Sequence, residues 1–303
     1  MDAVAERSLR LVRLDGLMAE GTGDPDVVVA VIDGPADTGH SDLAGARIEV
    51  LPGPSAGRCR IPESAACRHG TFVLGMLAAR RGTAAPGLCP GCTVLLYPVL
   101  AEGPPSFPEA GPADLAAAVV ACVDRGARII NLSLGLRGPV LARSAEFDEA
   151  VEHARRRGVL VVAAAGNHGL VGPAPLVSHP WLIPVAACDP AGRMLRLSNL
   201  GIGVGRAGLA APGLNVLSTA PGGGYQRTGG TSVAAPFVTG AAALLWSTRP
   251  AIPAIRLRAA LLRADRPRRS IVPPLLDAAA SLSQFPSPTT TRARRPREPD
   301  DHP

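Results

Sequence analysis

The sequence predicts an α/β protein with a mostly parallel central sheet and helices on both faces, and three observations carry that expectation. Runs of β-branched and aliphatic residues, as found in strands buried on both faces, alternate with longer segments of helical period. The 303 residues are 47% hydrophobic and 18% charged, enough to bury a sizeable core in one large domain. Aromatic residues make up only 3%, so that core is aliphatic.

Residues 1–26 read as a short polar lead-in ending in the loop Gly21-Thr22-Gly23-Asp24-Pro25-Asp26. The run Val27 to Ile32 is a doubly buried strand, ended by Asp33 and Gly34-Pro35. After a Gly/Pro/Ser-rich connection, His69 to Arg80 forms an apolar helix. Strand and helix signals then alternate: strand Thr93–Tyr97, helix Asp114–Asp124, strand Ala127–Ser133, helix Ser144–Arg157, strand Val159–Ala165 and strand Trp181–Ala187. A glycine-rich region leads to Gly229-Gly230-Thr231-Ser232, which opens a buried, alanine-rich helix, and two later helices lie near Ile252–Arg263 and Pro274–Ser283. The catalytic domain is expected over 27–284, and 285–303 reads as a disordered Pro/Arg-rich tail.

Charge and composition exclude several functions. The net charge of +6 is carried wholly by arginine, six of them between Arg256 and Arg269. Without interleaved aromatics or a recognition motif this is a solvated helix face, and no nucleic-acid partner is expected. No apolar run is long enough to span a membrane, so no membrane partner is expected either. The N-terminus lacks a basic region followed by an apolar one, which points to a cytoplasmic protein or to the mature form of an exported one.

Three polar residues stand where chemistry is usual in such folds. Asp33 follows a buried strand, at the sheet edge where open α/β sheets place their sites. His69 opens a helix. Ser232 opens another, where unpaired N–H groups and the helix dipole favour negative charge near its hydroxyl. Taken singly, Asp33 starts a turn, His69 is incidental and Ser232 caps a helix. Together they follow the order Asp, His, Ser of one of the convergent catalytic triads.

The segments around them resemble the subtilase family of serine proteases. Val29-Ala30-Val31-Ile32-Asp33-Gly34, continued by His40-Ser41-Asp42-Leu43, is similar to its Asp box; His69-Gly70-Thr71 to its His box; and Gly230-Thr231-Ser232-Val233-Ala234-Ala235-Pro236 to its Ser box. Asn131-Leu132-Ser133-Leu134-Gly135 resembles the substrate-binding strand, and Ala164-Ala165-Gly166-Asn167 the segment with the oxyanion asparagine. The resemblance implies a subtilisin-like fold and a serine endopeptidase, with Ser232 as nucleophile, His69 as base, Asp33 as its orienting acid and Asn167 as oxyanion donor. It implies that Ser133, Leu134 and Gly135 pair with the substrate backbone and that Ala164, Ala165 and Gly166 line a substrate pocket. The expected partner is a peptide or protein; no cofactor and no metal are expected.

Departures from the family pattern narrow this. Gly34 stands where a Ser or Thr is usual, so a hydroxyl that could orient the carboxylate is missing, and Phe72 stands where a second His is common. The stretch 79–86 is too short for the family's calcium loop, and 26 residues before the first core strand are too few for an inhibitory propeptide domain. With the cysteines near the His box, these features resemble the subtilases that mature cyanobactin-type precursor peptides. The 35 residues between Asp33 and His69 do not suggest the inserted helices of macrocyclising relatives, which favours cleavage. Two alternatives stay open: a general intracellular subtilisin for protein turnover, and a catalytically silent subtilase that binds peptides.

Six cysteines complete the inventory: Cys59, Cys67, Cys89, Cys92, Cys122 and Cys188. Structural zinc ligand pairs are usually separated by about two to four residues, whereas seven lie between Cys59 and Cys67. Disulfide bonding among some of the first four is therefore favoured over zinc, and Cys122 and Cys188, in apolar segments, are expected to be buried and inert.

Overall fold

The computed structural model describes residues 3–55, 57–103, 110–134, 144–172, 177–263 and 269–285. Gly135, residues 264–268 of the arginine-rich stretch and the tail from 286 lie outside them. The chain opens with helices α1 (Ala3–Leu11) and α2 (Asp15–Glu20), then runs through β1 (Val28–Asp33), β2 (Arg47–Val50), α3 (Ala65–Ala78), β3 (Thr93–Pro98), α4 (Pro112–Asp124), β4 (Ile129–Leu132), α5 (Ala145–Arg156), β5 (Leu160–Ala164) and β6 (Ile183–Cys188). It continues through α6 (Ile202–Ala207), β7 (Leu209–Pro212), the hairpin β8 (Val216–Ala220) and β9 (Gly224–Thr228), α7 (Thr231–Thr248), α8 (Ala254–Leu262) and α9 (Ala278–Leu282).

Seven strands form one parallel sheet in the order β2-β3-β1-β4-β5-β6-β7, as the alternation predicts. The central strands are buried along their length because their Val, Ile, Leu and Ala side chains meet helices on either side. On one face α3 and α7 pack together, with α3 on β1 and β3 and α7 on β4 to β7; α4 and α5 pack on each other against β1, β3 and β5. Every residue of α7 from Thr231 to Trp246 is buried. Small Ala and Gly side chains allow a helix to lie that close to a sheet. Because β1 runs between β3 and β4, with Asp33 opposite Pro98 and Ile32 opposite Leu132, Asp33 emerges in the middle of the sheet's carboxyl edge.

Three expectations need correction. The short lead-in is not polar throughout: α1, α2 and the turn between them bury Leu9, Val12, Leu14 and Leu17, and the Val12 carbonyl accepts the Ala278 N–H at 3.0 Å. Intervening Arg, Glu and Asp residues mask this apolar spacing in composition. The connection after Asp33 contains β2, an exposed edge strand whose Glu49 pairs with Arg125 at 2.7 Å. The last helix is only Ala278–Leu282, because the backbone of Pro274 and Leu276 is extended in hydrogen bonds to Ala210, and Asp277 caps the helix through the Ala280 N–H at 2.9 Å.

Cys59 and Cys67 form a disulfide, which removes both from any four-thiolate zinc site. Cys89, Cys92, Cys122 and Cys188 are buried free thiols.

Candidate active site

Asp33 is fully buried at the end of β1. Its Oδ1 accepts the Gly34 N–H at 2.7 Å and meets His69 Nδ1 at 2.8 Å. A carboxylate only accepts, so the proton of a neutral His69 ring sits on Nδ1 and Nε2 is the basic nitrogen. Burial is the largest influence on His69 and lowers its pKa; the charge of Asp33 and the hydrogen bond to it outweigh burial and hold the pKa above the usual 6.5. Asp33 Oδ2 is also buried and has no hydrogen-bond partner among the described residues.

The geometry around Gly34 explains its identity. A Cβ there would collide with the Ala66 carbonyl, and a Cβ on Gly70 would press on the Gly34 and Pro35 carbonyls. The first turns of α3 therefore rest directly on the backbone that follows Asp33. Ser64 caps α3 by accepting the Cys67 N–H at 3.2 Å. The disulfide closes loop 59–67 onto the same turn, with Cys59 Sγ 3.9 Å from the Pro35 carbonyl and 3.8 Å from Thr71 Oγ1.

Ser232 is in the first turn of α7, 6% exposed, beyond the N-cap Gly230. Its N–H is among the helix-start donors that have no acceptor within the helix. Asn167, exposed just beyond β5, closes this end: its Oδ1 accepts from the Thr231 N–H at 2.8 Å and from Thr231 Oγ1 at 3.0 Å. A backbone N–H can only donate, so the amide orientation is fixed and the donor Nδ2 is left for a ligand. Thr231 Oγ1 in turn accepts the Gly166 N–H at 3.1 Å.

The remaining residues differ in what they offer. Ser133 is fully buried and its hydroxyl accepts from Asn131 Nδ2 at 2.6 Å; Asn131 Oδ1 accepts from Thr239 of α7 at 2.9 Å. The Ser133 side chain therefore belongs to a core network tying β4 to α7, and only its main chain is available to a peptide. Leu134 and Ala164 line one small apolar cavity with Leu115, Leu132, Phe147 and Ala163, while Ala165 is buried and Gly166 half-buried.

Asn199 escaped the sequence reading. Its Oδ1 accepts the His168 and Leu170 N–H groups, both at 3.1 Å, and its own N–H donates to the Gly166 carbonyl at 2.9 Å, so it shapes the loop carrying Asn167. An asparagine in a polar Ser-Asn pair between two loops carries no spacing signal that could have revealed it.

A buried Asp–His pair at the carboxyl edge of a parallel sheet, together with Ser232 in the first turn of a buried helix beside an anchored amide, supplies the parts from which α/β serine hydrolases are built. The chain belongs to the subtilase family, whose pattern matches residues 24–284. It is 31% identical to Subtilisin DY of Bacillus licheniformis over 253 residues, covering 82% of this chain and 86% of that protein. It is 34% identical to a thermophilic serine proteinase of Bacillus sp. (strain AK1) over 221 residues, 72% of this chain, and there spans about half the relative's length, 52%. Among solved structures, the protease domain of PatA superposes with a TM-score of 0.78 at 32% identity, over 86% of this chain and 96% of that one. The prenylagaramide maturation protease PagA superposes with a TM-score of 0.77 at 29% identity, over 90% of this chain and 99% of that one.

Proposed function

We propose that the chain is a serine endopeptidase working through Asp33, His69 and Ser232, and that its substrate is a ribosomally made precursor peptide cut at its leader. The observation that carries the chemistry is the 2.8 Å contact of His69 Nδ1 with buried Asp33, which leaves Nε2 as the base. His69 takes the Ser232 proton as Oγ attacks the scissile carbonyl, Asp33 stabilises the imidazolium, and His69 then protonates the leaving amine; water repeats the cycle on the acyl-enzyme. The oxyanion develops against the Ser232 N–H and Asn167 Nδ2. The main chain of residues 133–135 pairs with the extended substrate, and Ala164, Ala165 and Gly166 line the pocket before the cut.

The likeness to the maturation proteases PatA and PagA supports the precursor-peptide substrate. Selectivity then comes from the pockets, or from a substrate-driven step that completes the site. The test offers the enzyme casein, short chromogenic peptides and extended peptides spanning leader–core junctions, with Ser232→Ala alongside, and labels both with a fluorophosphonate. Labelling of the wild type alone, with efficient cutting of one extended sequence and slow casein hydrolysis, is the expected result. Broad casein digestion would favour turnover, and an unlabelled wild type would favour a silent peptide binder.

A further inference from the structure

The Cys89-Pro90-Gly91-Cys92 turn has no part in the chemistry above. The Cys92 N–H donates to the Cys89 carbonyl at 3.0 Å, closing a turn whose two thiols are both buried. Such turns hold their end Cα atoms within about 7 Å, the separation a disulfide needs.

This turn joins the far ends of the two helices that carry His69 and Ser232; His69 does not open its helix as expected but lies in the second turn of α3, which starts at Ala65 under the Ser64 cap. On the α3 side, the Leu88 and Cys89 N–H groups donate to the Met76 and Leu77 carbonyls at 2.8 and 2.9 Å. On the α7 side, Cys92 Sγ lies 3.9 Å from Ser247 Oγ, which donates to the Ala243 carbonyl at 2.8 Å and accepts the Asp24 N–H at 2.9 Å. The segment 22–24 covers the turn: the Gly91 N–H donates to the Thr22 carbonyl at 2.7 Å, and Gly23 lies so close to Cys92 Sγ that a Cβ there would collide.

We propose that Cys89 and Cys92 are a reversible dithiol–disulfide couple, oxidised by low-molecular-weight disulfides, whose state sets how firmly the far ends of α3 and α7 are tied and thereby the placement of His69 against Ser232. This rests on the roles proposed above for those two residues. Cys92 is the attacking sulfur: its neighbour Cys89 is the largest influence on it and, against burial, holds its pKa below the usual 9.0, while Cys92 and burial raise that of Cys89. The Cys92 thiolate attacks glutathione disulfide, forming a mixed disulfide and releasing one glutathione thiolate. Cys89 gives up its proton, attacks the Cys92 sulfur and expels the second glutathione. Two protein thiols are oxidised as one disulfide is reduced to two thiols. Burial pushes Cys122 and Cys188 up to about 12, so they are spectators.

The test equilibrates the whole protein and its Cys92→Ser variant in glutathione buffers from reducing to oxidising, still within the range that keeps Cys59–Cys67 closed. It counts alkylatable thiols by mass spectrometry, identifies linked peptides and times fluorophosphonate labelling of Ser232. In the oxidised wild type, two of the four free thiols should be lost to a Cys89–Cys92 link. The labelling rate should differ between the two states by roughly two- to thirtyfold, the range expected of coupling through packed elements, whereas Cys92→Ser should label at one rate throughout. Four thiols surviving in excess glutathione disulfide would overturn the proposal, as would a link that leaves the labelling rate unchanged. If nothing labels in any state, the protease reading itself fails, and hydrogen exchange over α3 and α7 decides the tie: slower in the oxidised form, or equal, which overturns it.

Discussion

The two halves of the candidate active site are held by different means. Around Asp33 and His69 the fit is steric: α3 lies on the Gly34-Pro35 backbone, the disulfide draws its first turn inward, and one buried carboxylate oxygen has no partner among the described residues. Around Asn167 and Ser232 the fit is chemical: Thr231, Asn167 and Gly166 exchange three hydrogen bonds of 2.8 to 3.1 Å, and Asn199 sets the loop from outside. The first half should be intolerant of added volume and the second of lost polar atoms.

The largest effect expected is on the one strong polar contact in the steric half. Asp33→Asn should lower kcat by about 10⁴-fold through the wrong His69 tautomer. In the wild type His69 is active as the neutral base, and its pKa is raised above 6.5, so the rising limb of kcat/KM against pH should lie above 6.5. With the Asp33 charge gone that limb should move to lower pH; a limb that stays put would mean another group controls the base.

On the chemical side, Asn167→Ala should cost about 10²- to 10³-fold in kcat with little change in KM, the signature of a contact made only in the transition state. Steady-state kinetics on one cleavable peptide decide it, and a pure KM effect would remove Asn167 from the oxyanion site.

Gly34→Ala separates the halves most directly. The added methyl meets the Ala66 carbonyl and should destabilise the protein by about 1–3 kcal/mol, as overpacking does. Gly34→Ser should be no better, since its hydroxyl cannot reach Asp33 Oδ2 without moving α3. An undisturbed melting curve for Gly34→Ser with higher activity would show the steric account to be mistaken.

The smallest effect expected is for Thr231→Ala, which removes two hydrogen bonds at a helix start and should cost about 1 kcal/mol in denaturant unfolding. Thr231→Ser keeps the hydroxyl and should recover most of it.

The sheet and the Asp33–His69 pairing were legible in the sequence because both depend on residue type at fixed places. A strand buried on both faces must be a continuous aliphatic run, as Val27 to Ile32 is, and a triad needs an acid, a base and a nucleophile in fixed motifs. What escaped depends on long-range partners. Leu9, Val12, Leu14 and Leu17 are unremarkable until α7, α9 and the core exist to receive them. The hairpin β8–β9 hides behind the glycines of its own turn, and Arg47–Val50 is a strand only because β3 offers it an edge. The cysteines showed that some pairing was favoured, while the partnership of Cys59 with Cys67 follows from how α3 settles on the turn after Asp33.

The strand order also dictates when the site comes into being during synthesis. The first strand made, β1, needs β3 and β4 on its flanks, so its hydrogen bonds wait until about a third or more of the chain has emerged. The helix bearing Ser232 seats on four strands that all precede it, and the Val12 carbonyl, near the very start, waits for the Ala278 N–H near the end. A nascent chain on the ribosome can therefore carry Asp33 and His69 long before it carries the helix that bears Ser232.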